Sequence, residues 1–295
     1  MSRRTIVQSL VIANTVAVLA VTSAWAQSAP CPGNPDALGV ARTVEIDTTG
    51  GPGFGFEHFR SHDFLRPGEI VLTFDDGPWP KNTPEVLAAL DLHCTKATFF
   101  PIGKHATWYP EILREVAKRG HTIGSHTWSH LDLTKLTVEQ AKTEFEMGVS
   151  AVHRAVGDKA ASFFRFPALR HPPELVKYVG ERNVGIFSTD VDSFDFKLRR
   201  SDKLVPSVLE RLQKKGGGKG ILLLHDFQAG TAKAIPELLQ ELKKAGYKVV
   251  HMKSKQPVTA LPEYDAMVAA QQKGPATATD RPTASVVRTI ETSPR

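Results

Sequence analysis

From about residue 42 to residue 262 the chain alternates short apolar runs with stretches whose apolar residues recur at helical spacing. The runs are EIVLTF (69–74), ATFFPI (97–102), HTIGSH (121–126), SFFRF (162–166), VGIFST (184–189), ILLLH (221–225) and YKVV (247–250). Runs of this length, rich in β-branched and aromatic residues and bounded by turn residues, read as buried strands. The stretches between them carry helix punctuation. Thr83 with Pro84 reads as an N-cap and first helical residue, and Pro110 opens a helix that Gly120 closes. Thr137 and Gln140 form a capping-box pair ahead of an amphipathic stretch reaching about Val156. Pro172-Pro173 begins another helix, Ser201 or Asp202 caps one that stops at Gly216, and Ile235 to Ala245 gives the last, ending at Gly246. Strand–helix alternation repeated this often predicts an α/β fold on a parallel sheet of about seven strands, either a (β/α) barrel or an open doubly wound sheet.

The two ends differ from this pattern. Residues 1–26 read as an export signal: Arg3 and Arg4 supply the positive start, Leu10 to Val21 the apolar stretch, and Ala24-Trp25-Ala26 the cleavage site. That stretch is too short to span a bilayer, so no stable membrane insertion is expected once the signal is removed. Ser2-Arg3-Arg4 also resembles a twin-arginine signal. Residues 27–65 read as a segment tied to the core, 66–262 as the folded domain, and 263–295 as a disordered tail, which from Gly274 onward is rich in Pro, Thr, Ser and Ala. An exported chain with one pair of cysteines, Cys31 and Cys94, is expected to carry one disulfide and to work in the periplasm or outside the cell.

Composition removes several function classes. The formal charge of +6 comes from dispersed residues that form no basic stripe, which argues against a nucleic-acid partner. No Gly-x-Gly-x-x-Gly follows the first strand and no Gly-x-Ser-x-Gly is present, so neither a dinucleotide-binding fold nor a serine hydrolase is supported. No pattern along the chain speaks to oligomeric state.

The chemistry gathers just past the strands: Asp75-Asp76, then His126 and His130, then Arg165, then Asp190, Asp192 and Asp195, then His225-Asp226. In barrels, active sites sit at these carboxyl ends. His126 and His130 are four apart, a spacing that on one helical turn puts both imidazoles on one face to chelate a metal. Asp75 or Asp76 is the nearest third ligand, and the aspartate that does not coordinate is free to take a proton. Two histidines and a carboxylate suit hydrolytic Zn2+ and also non-haem Fe(II). An Asp-Asp-Gly-Pro turn or a capping histidine would explain any one of these features, but not five successive strand ends.

These residues resemble the polysaccharide deacetylases of carbohydrate esterase family 4, the NodB homology domain, over roughly residues 66–252. Thr73-Phe74-Asp75-Asp76-Gly77 matches the first motif, His126-Thr127-Trp128-Ser129-His130 the second and Arg165-Phe166-Pro167 the start of the third. Asp192-Ser193-Phe194-Asp195-Phe196 resembles the fourth, and Leu223-Leu224-His225 matches the fifth. The resemblance implies a distorted (β/α) barrel with fewer than eight repeats. It implies that Asp76, His126 and His130 hold a divalent metal, usually Zn2+, and that Asp75 is a general base tuned by Arg165. Asp195 would orient His225 as the general acid that protonates the departing sugar amine, and the partner would be an acetylated glycan. Ala168, Phe196 and Leu223 fall at substrate-facing motif positions. Ala168-Leu169 replaces an aromatic and glycine, and Phe196 replaces a tryptophan, changes that bear on substrate choice. Trp79, Tyr109 and Trp128 lie near motif residues; the first two could stack on sugars, while Trp128 is expected to pack. The reading is an exported, metal-dependent de-N-acetylase of GlcNAc-containing polymers or oligomers. The alternatives are an O-acetyl esterase of the xylan type, a non-catalytic carbohydrate-binding relative, and a non-haem iron oxygenase.

Overall fold

The structure, a computed structural model, describes residues 31–198, 201–214 and 218–271. The expected signal, the expected helix stop at Gly216 and the chain beyond residue 271 lie outside the described residues. In chain order the elements are β1 (Arg42–Ile46), β2 (Gly53–Phe54), β3 (Glu69–Asp75), α1 (Asn82–Leu92), β4 (Thr98–Phe100), α2 (Gly103–Trp108), α3 (Pro110–Lys118) and β5 (Thr122–Ser125). Next come α4 (Val138–Val156), β6 (Ala160–Phe164), α5 (Pro173–Glu181), β7 (Gly185–Phe187), β8 (Val191–Asp192), α6 (Asp195–Leu198) and α7 (Ser201–Lys214). The chain continues through β9 (Gly220–His225), α8 (Ala229–Lys244), β10 (Lys248–Ser254) and α9 (Pro262–Ala270).

All paired strands run parallel, the expected consequence of returning through a helix between strands. β3 to β7 are laid side by side, β9 pairs along the other edge of β3 from Ile70↔Gly220 to Asp75↔His225, and β8 lies against β9. This is the expected α/β barrel, with ten strands in the sheet among the described residues where seven are legible as apolar runs. The three extra strands are short or weakly apolar. β1 adds to β10, two-residue β2 adds to β7, and two-residue β8 fills in beside β9. β1 and β2 belong to the segment read from the sequence as a tether, so that segment is part of the sheet.

Strand parity divides the apolar residues into two cores. Ile70, Leu72 and Phe74 of β3, with Leu222 and Leu224 of β9, pack outward against the helices. Val71, Phe100, Phe163, Phe187 and Ile221 fill the barrel interior. Because side chains alternate faces along a strand, Thr73 and Asp75 follow Val71 onto the inner column, and His225 follows Ile221 on the strand beside it. Arg165 extends the column of Phe163. Parity therefore delivers three ionisable residues to the inside of the barrel mouth.

The helix signals fared unevenly. The Thr137/Gln140 capping box is formed in both directions and starts α4, and Pro110 and Pro173 each occupy a first helical position. Thr83 is not an N-cap: α1 begins at Asn82, and the Thr83 hydroxyl accepts from Trp79 N–H and donates to Asp226. α8 starts at Ala229, six residues before the apolar spacing becomes visible, and carries Pro236 in its interior, where the bond to the Ala232 carbonyl is forgone. The tail expected from residue 263 is corrected as well. Pro262–Ala270 forms α9, which packs along α4, with Val268 buried and Asp265 accepting from the Ser150 hydroxyl.

Cys31 and Cys94 form a disulfide that joins the start of the described chain to the second residue after α1, beside Asn34 Nδ2 donating to Leu92 O at 2.8 Å. The bridge closes a loop of sequence separation 63, for which a chain-entropy treatment gives stabilisation of about 4 kcal/mol at most. Cys31→Ser is expected to lower the unfolding free energy by about 2–4 kcal/mol in denaturant titrations. Identical midpoints for the variant and the oxidised wild type would show that the bridge contributes nothing.

Candidate active site at the strand ends

Arg165 is wholly buried in the barrel mouth, and every part of its guanidinium is engaged. Nη1 donates to Asp75 Oδ1 and to Thr73 Oγ1, each at 2.7 Å, Nη2 donates to Ser188 O at 2.9 Å and Nε to Phe187 O at 3.3 Å. The guanidinium also lies over the Phe100 ring, 4.5 Å from its centroid. Four fixed partners make the cation a rigid anchor for one oxygen of Asp75 and leave Oδ2 to the site.

Asp76, His126 and His130 converge on a point. His126 Nε2 and His130 Nε2 each lie 3.5 Å from Asp76 Oδ1, and the three ligand atoms fall within 4.8 Å of one another. Asp75 is set back, its Oδ2 being 3.9 Å from His126 Nε2. The donor set fits a divalent metal on two observations. Asp76 Oδ1 is buried without a hydrogen-bond partner, a costly condition unless something electropositive is meant to meet it. His126 Nδ1 donates to Arg165 O at 2.7 Å, which leaves Nε2 as a bare lone pair. Burial, aided by His130, holds the His126 pKa down to about 3, so the ring is neutral as a ligand must be.

The two histidines do not share a helical turn. They flank a loop after β5 in which Thr127 (φ 65°) and His130 (φ 59°) are left-handed. α4 holds that loop in place. Glu144 accepts from Ser129 N–H and hydroxyl at 2.8 and 2.7 Å, and its backbone carbonyl accepts from Trp128 N–H. A Cβ on Gly148 would stand 2.5 Å from the Thr127 carbonyl carbon, so helix and loop meet backbone to backbone. Trp128 is buried between these elements, as expected of a packing residue.

Asp195, at the start of α6, accepts from His225 Nδ1 at 2.6 Å, from His225 N–H at 2.8 Å and from the Thr231 hydroxyl at 2.6 Å. Burial alone would neutralise His225, but Asp195, with Asp76 and Asp75 beyond, raises its pKa to about 10. Asp195 itself is lowered, burial being outweighed by His225 and the Thr231 hydroxyl. Asp192 is raised, by burial first, and holds Phe194 N–H. Phe196 sets its ring edge-on to His225 at 5.5 Å. Leu223 is buried one inward position below His225, whereas Ala168 is exposed and left-handed (φ 51°). Trp79 and Tyr109 are half-buried and meet edge to face at 5.5 Å. Asp190 lies away from this group, bonding Phe56 N–H and Ile221 N–H. Two residues that no motif contains also reach the site: His105 donates to the carbonyl of Asp76, and Asp226 accepts from Gly77 N–H. Asp226 was visible beside His225 in the sequence; His105 had no local signal.

A sequence profile for polysaccharide deacetylase matches residues 65–184. A peptidoglycan-N-acetylglucosamine deacetylase of Bacillus cereus is 31% identical over 190 residues, covering 63% of this chain and 67% of that protein. A chitooligosaccharide deacetylase of Azorhizobium caulinodans is 32% identical over 157 residues, covering 53% of this chain and 73% of that protein. Among solved structures, a Bdellovibrio bacteriovorus peptidoglycan deacetylase aligns with a TM-score of 0.66 at 32% identity, over 73% of this chain and 59% of the other. Several longer curated relatives are matched over 37% of their length, so the chain corresponds to a part of them.

The Arg165–Asp75 pair makes a prediction independent of activity. Removing one partner of a buried pair strands the other, at about 3–5 kcal/mol. Arg165→Met is expected to lose stability on that scale in urea titrations, and adding Asp75→Leu to recover much of it. A double variant no more stable than the single one would mean that the uncompensated carboxylate is not the source of the loss.

Proposed function

The chain belongs to the polysaccharide deacetylase family, and we propose that it is an exported, metal-dependent enzyme hydrolysing N-acetyl groups of GlcNAc-containing poly- or oligosaccharides. The observation that carries this reading is one of register. Asp75 and His225 are paired residues at the ends of neighbouring strands β3 and β9, beside the Asp76, His126 and His130 cluster. A base and an acid are thereby held a strand spacing apart, about 4.8 Å in the backbone, over the place where an acyl group can be polarised.

Asp76, His126 and His130 would hold the metal, most readily Zn2+ given two imidazoles and a carboxylate, and when bound it supplies a Lewis acid for the acetamide carbonyl. The remaining work falls to the chain. Asp75, with Oδ1 fixed by Arg165, takes a proton from the attacking water at Oδ2. His225, kept cationic by Asp195, donates its Nε2 proton to the sugar nitrogen as the C–N bond breaks, so that acetate and a free amine leave. Phe196 and Leu223 form the apolar side of this pocket and Ala168 its exposed lip; these three are proposed to shape the groove for the glycan. The names of the relatives support peptidoglycan and chitooligosaccharides as the substrate classes. The Arg3–Ala26 pattern and the Cys31–Cys94 bridge support export to an oxidising compartment, and no described helix is long and apolar enough to cross a membrane.

The test is acetate release from chitooligosaccharides, peptidoglycan and acetylated xylan, before and after chelation. Release from the N-acetylated substrates, lost on chelation and restored by Zn2+, is expected. Release from xylan alone would replace the amide reading with an ester one, and no release by metal-loaded protein would leave a glycan-binding role. Asp75→Asn is expected to keep its metal, read by elemental analysis, while kcat falls about 10²–10⁴-fold. Equal metal loss in Asp75→Asn and Asp76→Asn would make both aspartates ligands.

The pH profile gives a separate check. The acid must be protonated, so activity falls as pH rises through the His225 pKa, which is raised from 6.5 to about 10. A dication beside Asp76 offsets part of the field that raises it, placing the alkaline limb between those values. His225→Asn is expected to flatten that limb in the residual activity.

A further inference from the structure

Asp76 is the most constrained residue of the site, and the constraint comes from residues that no motif contains. Its φ of 74° lies in the left-handed region, which residues with a side chain occupy only when their surroundings enforce it. The enforcing contacts fall on the backbone. Asp76 N–H donates to Phe100 O at 3.1 Å, and Asp76 C=O accepts from His105 Nδ1 at 2.6 Å. The next amide, Gly77 N–H, donates to Asp226 Oδ1 at 3.0 Å. The other oxygen of Asp226 accepts from the Thr83 hydroxyl at 2.5 Å, and that hydroxyl accepts from Trp79 N–H at 2.8 Å. Asp226, Thr83 and His105 are all buried.

Asp226 is an unusual residue to bury, because it makes no ion pair among the described residues. It accepts hydrogen bonds from one amide, that of Gly77 in the loop after Asp76, and from one hydroxyl, that of Thr83 in the first turn of α1. The fit leaves no space: a Cβ on Gly77 would lie 2.2 Å from Asp226 Oδ2. A carboxylate packed directly on a glycine amide fixes the direction of the peptide plane between Asp76 and Gly77. His105 fixes the same plane from its other side, through the carbonyl.

We propose that Asp226, Thr83 and His105 are positioning residues that grip the Asp76–Gly77 peptide at both edges, hold Asp76 in its left-handed conformation, and thereby set the affinity of the site for its metal. The inference rests on the reading of Asp76 as a metal ligand. It extends that reading to residues whose contacts are to the ligand's backbone, where a change moves the carboxylate without altering its chemistry.

The test measures Zn2+ affinity of the full chain by competition with a chromophoric chelator, together with thermal unfolding of the metal-free protein. Outer partners of metal ligands typically contribute 10–100-fold in affinity. Thr83→Val, Asp226→Asn and His105→Phe are each expected to weaken Zn2+ binding about 10-fold or more. His105→Asn, whose amide N–H can stand where Nδ1–H stands, is expected to restore most of the loss. A purely structural role would lower the unfolding temperature of the metal-free protein and leave the affinity of the folded fraction unchanged. That result in the variants that fold overturns the proposal, as does equal weakening by His105→Asn and His105→Phe. Asp76→Ala separates the two levels of the argument: if it binds Zn2+ as tightly as wild type, the ligand reading fails, whereas a large loss there with none in the positioning variants defeats the grip alone.

Discussion

Negative charge crowded into the mouth of the barrel is the condition to which the rest of the site responds. Asp75, Asp76, Asp195 and Asp226 are all buried within a few residues of the strand ends, and like charges in low dielectric resist being ionised together. Each is answered differently. Asp75 has the fully buried Arg165, Asp195 has His225, Asp76 has two imidazoles and an oxygen without a partner, and Asp226 has only hydrogen bonds. Burial accordingly pushes Asp226 up to about 7, while the ion pair keeps Asp195 low. The same field keeps the His225 pKa raised, so on the proposed reading the metal site and the proton donor would be coupled through electrostatics rather than contact.

A second constraint is conformational. Asp76, Thr127, His130, Ala168 and Phe194 are left-handed without being glycine, and all five lie in loops at the barrel mouth. Strain of this kind is of order 1–3 kcal/mol per residue and persists only where packing over-determines it. The scaffold supplies that packing at close quarters. Gly148 of α4 and Gly103 of α2 bring helix backbones against the Thr127–Trp128 segment, and Glu144 ties down the turn between the two histidines. The helices nearest the site thus act as braces for loops that would otherwise relax into conformations that scatter Asp76, His126 and His130.

Much of the site was legible because its chemistry is local to short strings of residues. Asp75-Asp76-Gly77 after EIVLTF, His126 closing HTIGSH with His130 just beyond, and Arg165 near the end of SFFRF stand where strand parity and the βα order put functional groups. The helical spacing read between His126 and His130 was right about convergence and wrong about cause, because a four-residue separation is equally met by a loop with two left-handed residues. Thr83 looked like a cap because threonine before proline usually is one; its hydroxyl was instead committed to Asp226, a residue 143 positions away.

The sequence by itself determined the alternation of strands and helices, the inner and outer faces of each strand, and the identity of the groups that reach the barrel mouth. These follow from periodicities of two and 3.6 residues and from residue types with few other uses at strand ends. Spacing alone left open which aspartate faces the histidines and which faces Arg165; the motif resemblance divided them, and the tertiary structure sets Asp76 toward the histidines and Asp75 against Arg165. It also decided that two-residue strands such as β2 and β8 join the sheet, that α9 continues past the expected domain edge, and that His105, Glu144 and Asp226 serve the site. The physical reason is common to all of these. Each depends on hydrogen bonds or packing between segments far apart in the chain, and a polar residue that will be satisfied at a distance looks, in its own neighbourhood, like any other polar residue.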